Sequence, residues 1–275
     1  MVREAGDANS PRKPQYDANY GNFQADVYAQ IRREAFGEDI GQNSWLTADE
    51  QDKFLSWLGL SVGKILLDVA CGAGGPALRA AAVSGCRVVG VDVHQQGIVT
   101  AKSLASQKGF GELAEFLVVD ATQSLPFPDD TFDAITCIDA INHFPDRLGA
   151  LQDWARLLKP GGRMLFTDPI TVTGPLTNAE IAIRSSTSLY LFVPLGYDEK
   201  LLAQCGLKLL RSENCTGNMA KIAERRRAAR ESRSAAVREI EGGAGFEEQQ
   251  DFLEVTARTA GENRLSRFVY VAERG

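Results

Sequence analysis

The stretch Ile65–Pro76, with the sequence ILLDVACGAGGP, decides the fold. In it an apolar run stops at Asp68 and turns through glycines into an Ala-rich segment. Such a pattern predicts a buried strand, a tight loop and the start of a helix, which together form the first unit of a nucleotide-binding α/β sheet. Glycines suit this loop because the backbone must approach a ligand more closely than a Cβ allows, and the following helix presents unpaired N–H groups to an anion.

Further apolar runs follow, and several of them end at acids. The run VVGVDV carries Asp92, FLVVD ends at Asp120, and FDAITCI ends at Ile138. The turn KPGG then leads into a fifth strand, which we predict to end at Asp168. Because the carboxyl ends of parallel strands meet at one edge of a sheet, these acids are expected to line a single ligand site. With a late strand over 268–272, the pattern predicts an α/β fold with a doubly wound, mostly parallel sheet of seven strands.

With these motifs the chain resembles the class I S-adenosylmethionine-dependent methyltransferases, in the branch that acts on ubiquinone-type and other small molecules. The resemblance rests on LDVACGAG from Leu67, VDV from Val91, DA from Asp120 and LKPGG from Leu158, and it covers about residues 65–168. It implies a Rossmann-like domain and S-adenosyl-L-methionine as cofactor. The chain departs from the family at Ala70, where the family has its first glycine, and this departure bears on the methionine end of the cofactor.

The resemblance also implies a set of cofactor-binding residues, matched to the motifs position by position. These are Asp68, Ala70, Gly72, Ala73, Gly74, Asp92, Val93, Asp120, Ala121 and Ile138. From the N-terminal segment we add Tyr20 and Trp45, because an aromatic face stabilises a cation such as a sulfonium and the Tyr20 hydroxyl can meet a carboxylate. Packing inside a helical cap is the alternative for each of these two. The amides of Gln42 and Asn43 are further candidates, with surface-loop positions as their alternative.

A dinucleotide-dependent oxidoreductase is the competing interpretation. The residues GAGGPA from Gly72, with Asp92 downstream, also satisfy the dinucleotide-binding pattern. The acid at Asp68, the pair that starts at Asp120 and the late strand favour the methyltransferase. A third hypothesis is that the chain is not an enzyme but a protein that binds S-adenosylmethionine without transferring its methyl group.

Two residues are candidates for the chemistry, His143 in the motif NHFPD after the fourth strand and Asp168. The imidazole can accept a proton near neutral pH, and the carboxylate is placed to orient the ring or to act as the base itself. The alternatives are a packing role at a helix start for His143 and a turn cap for Asp168. We therefore predict SN2-like methyl transfer to a hydroxyl of a small organic acceptor. N- or C-methylation of a small amine or isoprenoid is the alternative.

The domain organisation is predicted from composition and periodicity. We expect a disordered N-terminus (1–15), a helical cap (16–60) and a Rossmann-like domain (61–275) with cap insertions at about 170–197 and 215–262. A long helix over 219–240, ended by Gly242–Gly243, is part of the second insertion. Such caps roof the carboxyl edge of the sheet, which favours a small acceptor over a macromolecule.

Composition bounds the class of protein. The 275 residues carry a net charge of −6, which argues against binding to a nucleic-acid backbone. No apolar run approaches the ~20 residues of a membrane span, and no signal peptide is recognised, so we expect a cytoplasmic protein without membrane insertion. Five cysteines without CxxC spacing and two histidines predict reduced thiols and no metal site. Formation of a homo-oligomer stays open.

Overall fold

The structure is a computed structural model that describes residues 20–186 and 189–275. The central element of this part of the chain is a mixed β-sheet. Its strands are β1 (Ile65–Val69), β2 (Arg87–Asp92), β3 (Ala114–Val118), β4 (Phe132–Cys137), β5 (Leu158–Val172), β6 (Val193–Pro194), β7 (Leu207–Asn214) and β8 (Leu265–Arg274). They lie in the order β3-β2-β1-β4-β5-β8-β7, and β8 runs antiparallel to both of its neighbours. This arrangement confirms the predicted fold class. Seven strands form the path, and the two-residue β6 pairs with β5 beside it.

Helices cover both faces of this sheet. They are α1 (Asp26–Phe36), α2 (Ala48–Ser56), α3 (Gly75–Ser84), α4 (Gln95–Gln107), α5 (Arg147–Leu157), α6 (Asn178–Arg184), α7 (Tyr197–Gln204), α8 (Thr216–Glu231) and α9 (Ser234–Gly261). One face packs against α2, α3 and α4, and the other against α5 and α7. Because both faces are covered, the sequences of the central strands are continuous apolar runs and do not alternate between apolar and polar residues.

A third apolar cluster lies outside the sheet and joins α1 to α8 and α9. Phe36, Trp45, Met219 and Phe252 are buried in it. The helical character predicted for the N-terminal segment is observed in α1 and α2, and Thr47 caps α2 by accepting a hydrogen bond from Glu50 N. The predicted disordered segment, 1–15, lies outside the described residues.

The fifth strand is longer than predicted. We expected it to end at Asp168, but β5 continues to Val172. It pairs with β8 on both sides of a register shift between Asp168 and Thr171. Pro169, which has no N–H to donate, sits in this shift, where a ladder bond is not required. Pairing with a strand far along the chain thus overrides the local signal.

The single helix predicted over 219–240 is divided in the structure. The chain turns at Ser232 and Arg233, between α8 and α9, whereas the predicted end at Gly242 coincides with a non-helical residue (φ +75°, ψ 164°) at which α9 is kinked. Both Ser232 Oγ and Arg233 Nη1 donate to Ala229 O, a carbonyl of the last turn of α8. The turn folds α9 back along α8, so that apolar residues of both helices meet α1.

In the described residues no helix is long and apolar enough to cross a membrane.

The N-terminal segment is locked against the sheet by a close backbone approach. A Cβ on Gly75, at the start of α3, would lie 2.2 Å from Ile40 O and 2.4 Å from Gly41 O. Both neighbours are backbone atoms, which cannot move aside as a flexible side chain can. Only a glycine permits this contact.

We predict that Gly75→Ala lowers the free energy of unfolding by about 1–3 kcal/mol, because the added methyl forces the backbones apart. Urea titration followed by circular dichroism measures this loss. Gly217→Ala in α8 is the matched control, because a Cβ there meets nothing within 4 Å. The control should gain about 0.5–1 kcal/mol as a helical Gly is replaced by Ala. Equal stability of Gly75→Ala and wild type would contradict the close approach.

Candidate functional site

A cavity opens at the carboxyl ends of β1, β2 and β4, at the edge where the acids were predicted to meet. It encloses about 1170 Å³ of empty space, including the part open to solvent. Among the predicted site residues, the structure brings the following to its wall: Tyr20, Asp68, Ala70, Gly72, Ala73, Asp92, Val93, Asp120, Ala121, Ile138 and His143. Gly74, Trp45 and Asp168 do not line it.

The loop after β1 forms the floor of the cavity in an unusual backbone conformation. Ala70 has φ +58° and Gly72 has φ +55°, both in the left-handed region. A Cβ on Gly72 would lie 2.8 Å from Tyr20 Oη, so a larger residue would displace this side chain, and the left-handed φ favours glycine as well. Ala70 tolerates the same region as a non-glycine residue at a cost on the order of 1 kcal/mol.

Asp92 ties the end of β2 to this loop. Its Oδ2 accepts a hydrogen bond from Gly72 N and its Oδ1 one from His94 N, each at 2.8 Å. Burial raises the pKa of the carboxyl, while these backbone donors oppose the rise. The carboxylate is therefore held rigidly at the cavity wall, with lone pairs remaining on both oxygens.

Two further acids differ in their surroundings. Burial raises the pKa of Asp68 to about 7, against a 2.7 Å hydrogen bond from Thr136 Oγ1 that lowers it. Asp120 is partly exposed, and its Oδ1 accepts from both Thr122 N and Thr122 Oγ1. At neutral pH the cavity thus holds one carboxyl near its midpoint of ionisation, which a cationic ligand would ionise.

Two of the predicted cofactor residues, Gly74 and Trp45, have packing contacts in the structure. A Cβ on Gly74 would lie 2.7 Å from Ala101 Cβ, so this glycine is required by the contact between α3 and α4. The Trp45 ring stacks on Phe252 with centroids 6.3 Å apart, inside the cluster of α1, α8 and α9. The packing alternative considered for Trp45 is therefore the one that the geometry supports.

The structure contradicts the predicted contact between Asp168 and His143. Asp168 is fully buried inside β5, where its Oδ2 accepts from Arg147 Nη1 at 2.7 Å and its Oδ1 accepts from Ile170 N. It does not reach the cavity. The expectation failed because β5 extends beyond this residue, so the side chain points into the packed interior rather than over the edge.

His143 lies at the cavity wall and is held by its neighbours in one tautomer. Its Nδ1 is 2.8 Å from Leu189 O, and its Nε2 is 3.3 Å from Asn142 Nδ2. A carbonyl oxygen only accepts, and an amide nitrogen only donates, so Nδ1 carries the proton. Burial lowers the pKa of the imidazole to about 4, and the ring is neutral at pH 7. Tyr190 packs edge-on against it.

Sequence reasoning missed Asp139, which lines the cavity with φ +54°. Its Oδ2 accepts from Trp45 N at 2.8 Å, and its Oδ1 accepts from Thr167 Oγ1 and from Arg267 Nε, each at 2.7 Å. Arg267 is fully buried and also pairs with Glu50 of α2 at 2.7 Å. These partners are far apart in the chain, so no local pattern signals them.

Ser44 is a second residue that the sequence did not single out. It lines the cavity next to Asn43, and its Oγ is buried without a hydrogen-bond partner among the described residues. A buried hydroxyl without a partner is costly, which indicates that a ligand or water satisfies it. Across the described ranges, no group of three or more His, Cys, Asp or Glu is arranged to hold a metal ion.

Comparison with known proteins shows that the central part of the chain is similar to methyltransferases. Residues 67–166 match the family model described as a methyltransferase domain. The chain is 30% identical over 159 residues to 27-O-demethylrifamycin SV methyltransferase of Amycolatopsis mediterranei, covering 54% of this chain and 58% of that protein. It is 38% identical over 104 residues to sterol 24-C-methyltransferase of Eremothecium gossypii, covering 38% and 28%. The chain therefore spans little more than half, or less, of these relatives' lengths.

A solved structure shares the whole architecture. The cyclopropane synthase MmaA2 from Mycobacterium tuberculosis superposes with a TM-score of 0.77 at 19% identity, covering 96% of this chain and 100% of that chain. At this identity the similarity concerns the fold. For residues 67–166 the match to a methyltransferase domain favours the methyltransferase over the oxidoreductase that the sequence left open.

We predict that Asp139→Ala lowers the free energy of unfolding by about 3–5 kcal/mol, because it leaves the buried Arg267 charge partly uncompensated. Asp130→Ala is a matched control, because Asp130 also has a left-handed φ and an arginine partner, Arg274, but lies at the surface. Its loss should stay within about 0–1 kcal/mol. Denaturant titration of both variants measures the difference, and similar small losses would refute the role of the buried pair.

Proposed function

From the premise that residues 67–166 form a class I methyltransferase domain, we propose that this chain transfers the methyl group of S-adenosylmethionine to a hydroxyl of a small organic acceptor. The observation that carries the proposal is the neutral imidazole of His143 on the wall of the cavity that also contains Asp68, Asp92 and Asp120. A group able to accept a proton thus shares one space with groups able to hold the cofactor.

The residues of the cavity fit an adenosyl sulfonium. Ser44 Oγ at the cavity wall is buried and lacks a partner among the described residues. Asp92 would hold the ribose hydroxyls, Asp120 the adenine edge, and the Asp68 carboxyl, with its pKa near 7, would ionise beside a cation. When bound, S-adenosylmethionine supplies a methyl group that is already activated by its positive sulfur. The chain's own task is then positioning, worth up to ~7–11 kcal/mol of the barrier, and handling one proton.

His143 is proposed to accept that proton at Nε2, since Nδ1 is already protonated against Leu189 O, and the acceptor hydroxyl would then replace Asn142 Nδ2, which lies 3.3 Å from Nε2. A base whose conjugate acid has a pKa of about 4 removes little of the proton from an unreacted hydroxyl. As the oxygen forms its bond to the methyl group, however, its proton becomes strongly acidic. A neutral imidazole within hydrogen-bond reach then accepts it late in the transfer.

The acceptor is proposed to be small because Asn43 and Ser44 of the N-terminal segment line the cavity and Tyr190 packs on His143. We propose that the segment 16–60 and the insertions at about 170–197 and 215–262 form the cap that selects it. The relative named 27-O-demethylrifamycin SV methyltransferase supports a hydroxyl acceptor, while the relative named sterol 24-C-methyltransferase keeps carbon as the alternative.

Asp92→Ala should weaken binding of S-adenosylmethionine by about 1.5–3 kcal/mol, the contribution of a charge-assisted hydrogen bond. Isothermal titration calorimetry measures this loss. Asp133→Ala is the control, because Asp133 also accepts from a backbone N–H, that of Ile65, but lies outside the cavity at the start of β4. Heat with NADH and none with S-adenosylmethionine in the wild type would reject the cofactor assignment.

His143→Ala should slow methyl transfer to a hydroxyl acceptor by about 10²–10⁴-fold and leave cofactor affinity nearly unchanged. The pKa of about 4 means that the imidazole stays neutral, and competent as a base, from pH 5 upward. The ratio of wild-type to variant rates should therefore be constant between about pH 5 and 8, and shrink at higher pH as a phenolic acceptor ionises unaided.

Formation of S-adenosylhomocysteine with a panel of phenols and alcohols provides the rates. Taking the ratio cancels the ionisation of Asp68, whose pKa burial raises to about 7 in both proteins. Unchanged turnover of His143→Ala at pH 7 would reject the base and make an amine or carbon acceptor the better assignment.

A further inference from the structure

We propose that Arg147 is a positioning residue for His143, and that it acts by anchoring the segment Leu189–Leu191, whose carbonyl holds the imidazole. This inference deepens the proposed function and rests on it for its catalytic meaning. The arrangement itself is a set of hydrogen bonds that can be tested without turnover.

The anchor is a guanidinium held in the interior. Arg147 is 1% exposed, and its Nη1 lies 2.7 Å from Asp168 Oδ2 and 3.0 Å from Asp198 Oδ1. A buried guanidinium that moved away from these carboxylates would leave buried charges uncompensated. The Arg147 guanidinium therefore has little freedom to move. Burial and the neighbouring Asp168 raise the pKa of Asp198, which is consistent with two acids sharing one cation.

The other arm of the guanidinium reaches the segment. Arg147 Nη2 donates to Leu191 O at 2.8 Å, and Leu191 N donates to Asn142 O at 2.8 Å. Both backbone groups of Leu191 are thus engaged, one by the anchor and one by the residue that precedes His143. A planar fork with fixed donors can serve the carboxylates and the carbonyl at once, which an ammonium group cannot do with the same geometry.

Two residues before Leu191, the same segment meets the imidazole. Leu189 O accepts from His143 Nδ1 at 2.8 Å, and the Tyr190 ring packs on the imidazole with centroids 4.8 Å apart. In water a neutral imidazole favours the proton on Nε2. Held against a carbonyl, it carries the proton on Nδ1 and turns Nε2 into the acceptor. Asp168, predicted to orient His143 directly, acts on it through Arg147.

Charge alone is a competing explanation and must be separated from position. Arg147, Arg184 and His94 each lower the pKa of His143 electrostatically, although burial is the larger cause. Deleting the charge of Arg147 would therefore raise that pKa even if no segment moved. Arg147→Lys keeps the charge and loses the fork, so it isolates the positional effect.

The test is ¹⁵N NMR of the two imidazoles in the full-length protein, assigned with His94→Gln. In the wild type, His143 should appear as the Nδ1–H tautomer with a pKa of about 4. In Arg147→Lys it should shift towards the Nε2–H tautomer, because the hydrogen bond from Nδ1 to Leu189 O that fixes the Nδ1–H form is lost. With acceptor present, kcat should fall about 10–100-fold at unchanged cofactor affinity.

Arg163→Lys is the matched control, because Arg163 also joins a carboxylate, Glu273, to a backbone carbonyl, that of Trp57, at a distance from the cavity. It should leave the His143 spectrum as in the wild type. A folded Arg147→Lys in which His143 keeps the wild-type tautomer overturns the inference. If that variant does not fold, an Nε2–H tautomer in the wild type overturns it equally.

The two proposals fail separately. If His143→Ala retains full turnover while Arg147→Lys changes the His143 tautomer, the base is rejected and the positioning stands. If His143→Ala abolishes turnover while the His143 tautomer is the same in Arg147→Lys and wild type, the role of His143 as base is supported and the positioning role of Arg147 is rejected.

Discussion

Arg267 carries its charge in the interior of the molecule, where an ion is tolerated only with paired and hydrogen-bonded acids. Its partners are Asp139, at the cavity wall, and Glu50 of α2. Asp139 in turn accepts the backbone N–H of Trp45, which places the N-terminal loop beside the cavity. The need to neutralise one buried guanidinium on β8 thus joins the last strand, the cavity wall and the N-terminal helices into one unit.

A second buried arginine, Arg147, is also neutralised by two acids. These acids are Asp168 and Asp198, and one arm of the guanidinium extends to Leu191 O. The two clusters differ in what they hold. Arg267 acts on the N-terminal loop next to the predicted cofactor residues, whereas Arg147 acts on the segment against His143. In the proposed enzyme, cofactor binding and proton handling are therefore supported by separate polar networks, both rooted in the sheet.

The three aspartates of the cavity have identical side chains but different surroundings. Asp92 accepts two backbone N–H groups, Asp120 is partly exposed, and burial raises the pKa of Asp68 to about 7. Their residue type and strand-end position are visible in the sequence. Their ionisation is not, because it depends on desolvation and on donors supplied by the folded loop.

The sequence by itself determined the sheet and the edge at which a ligand site forms, because apolar runs that end at acids and glycines encode parallel strands locally. It also placed Asp68, Gly72, Asp92 and Asp120, which lie within or just after the strands that carry them. Only the tertiary structure decided that Gly74 and Trp45 pack, that Asp168 is buried against Arg147, and that Asp139 meets Arg267. Those outcomes depend on pairing between residues far apart in the chain and on the length of β5 set by β8, and no local pattern contains that information.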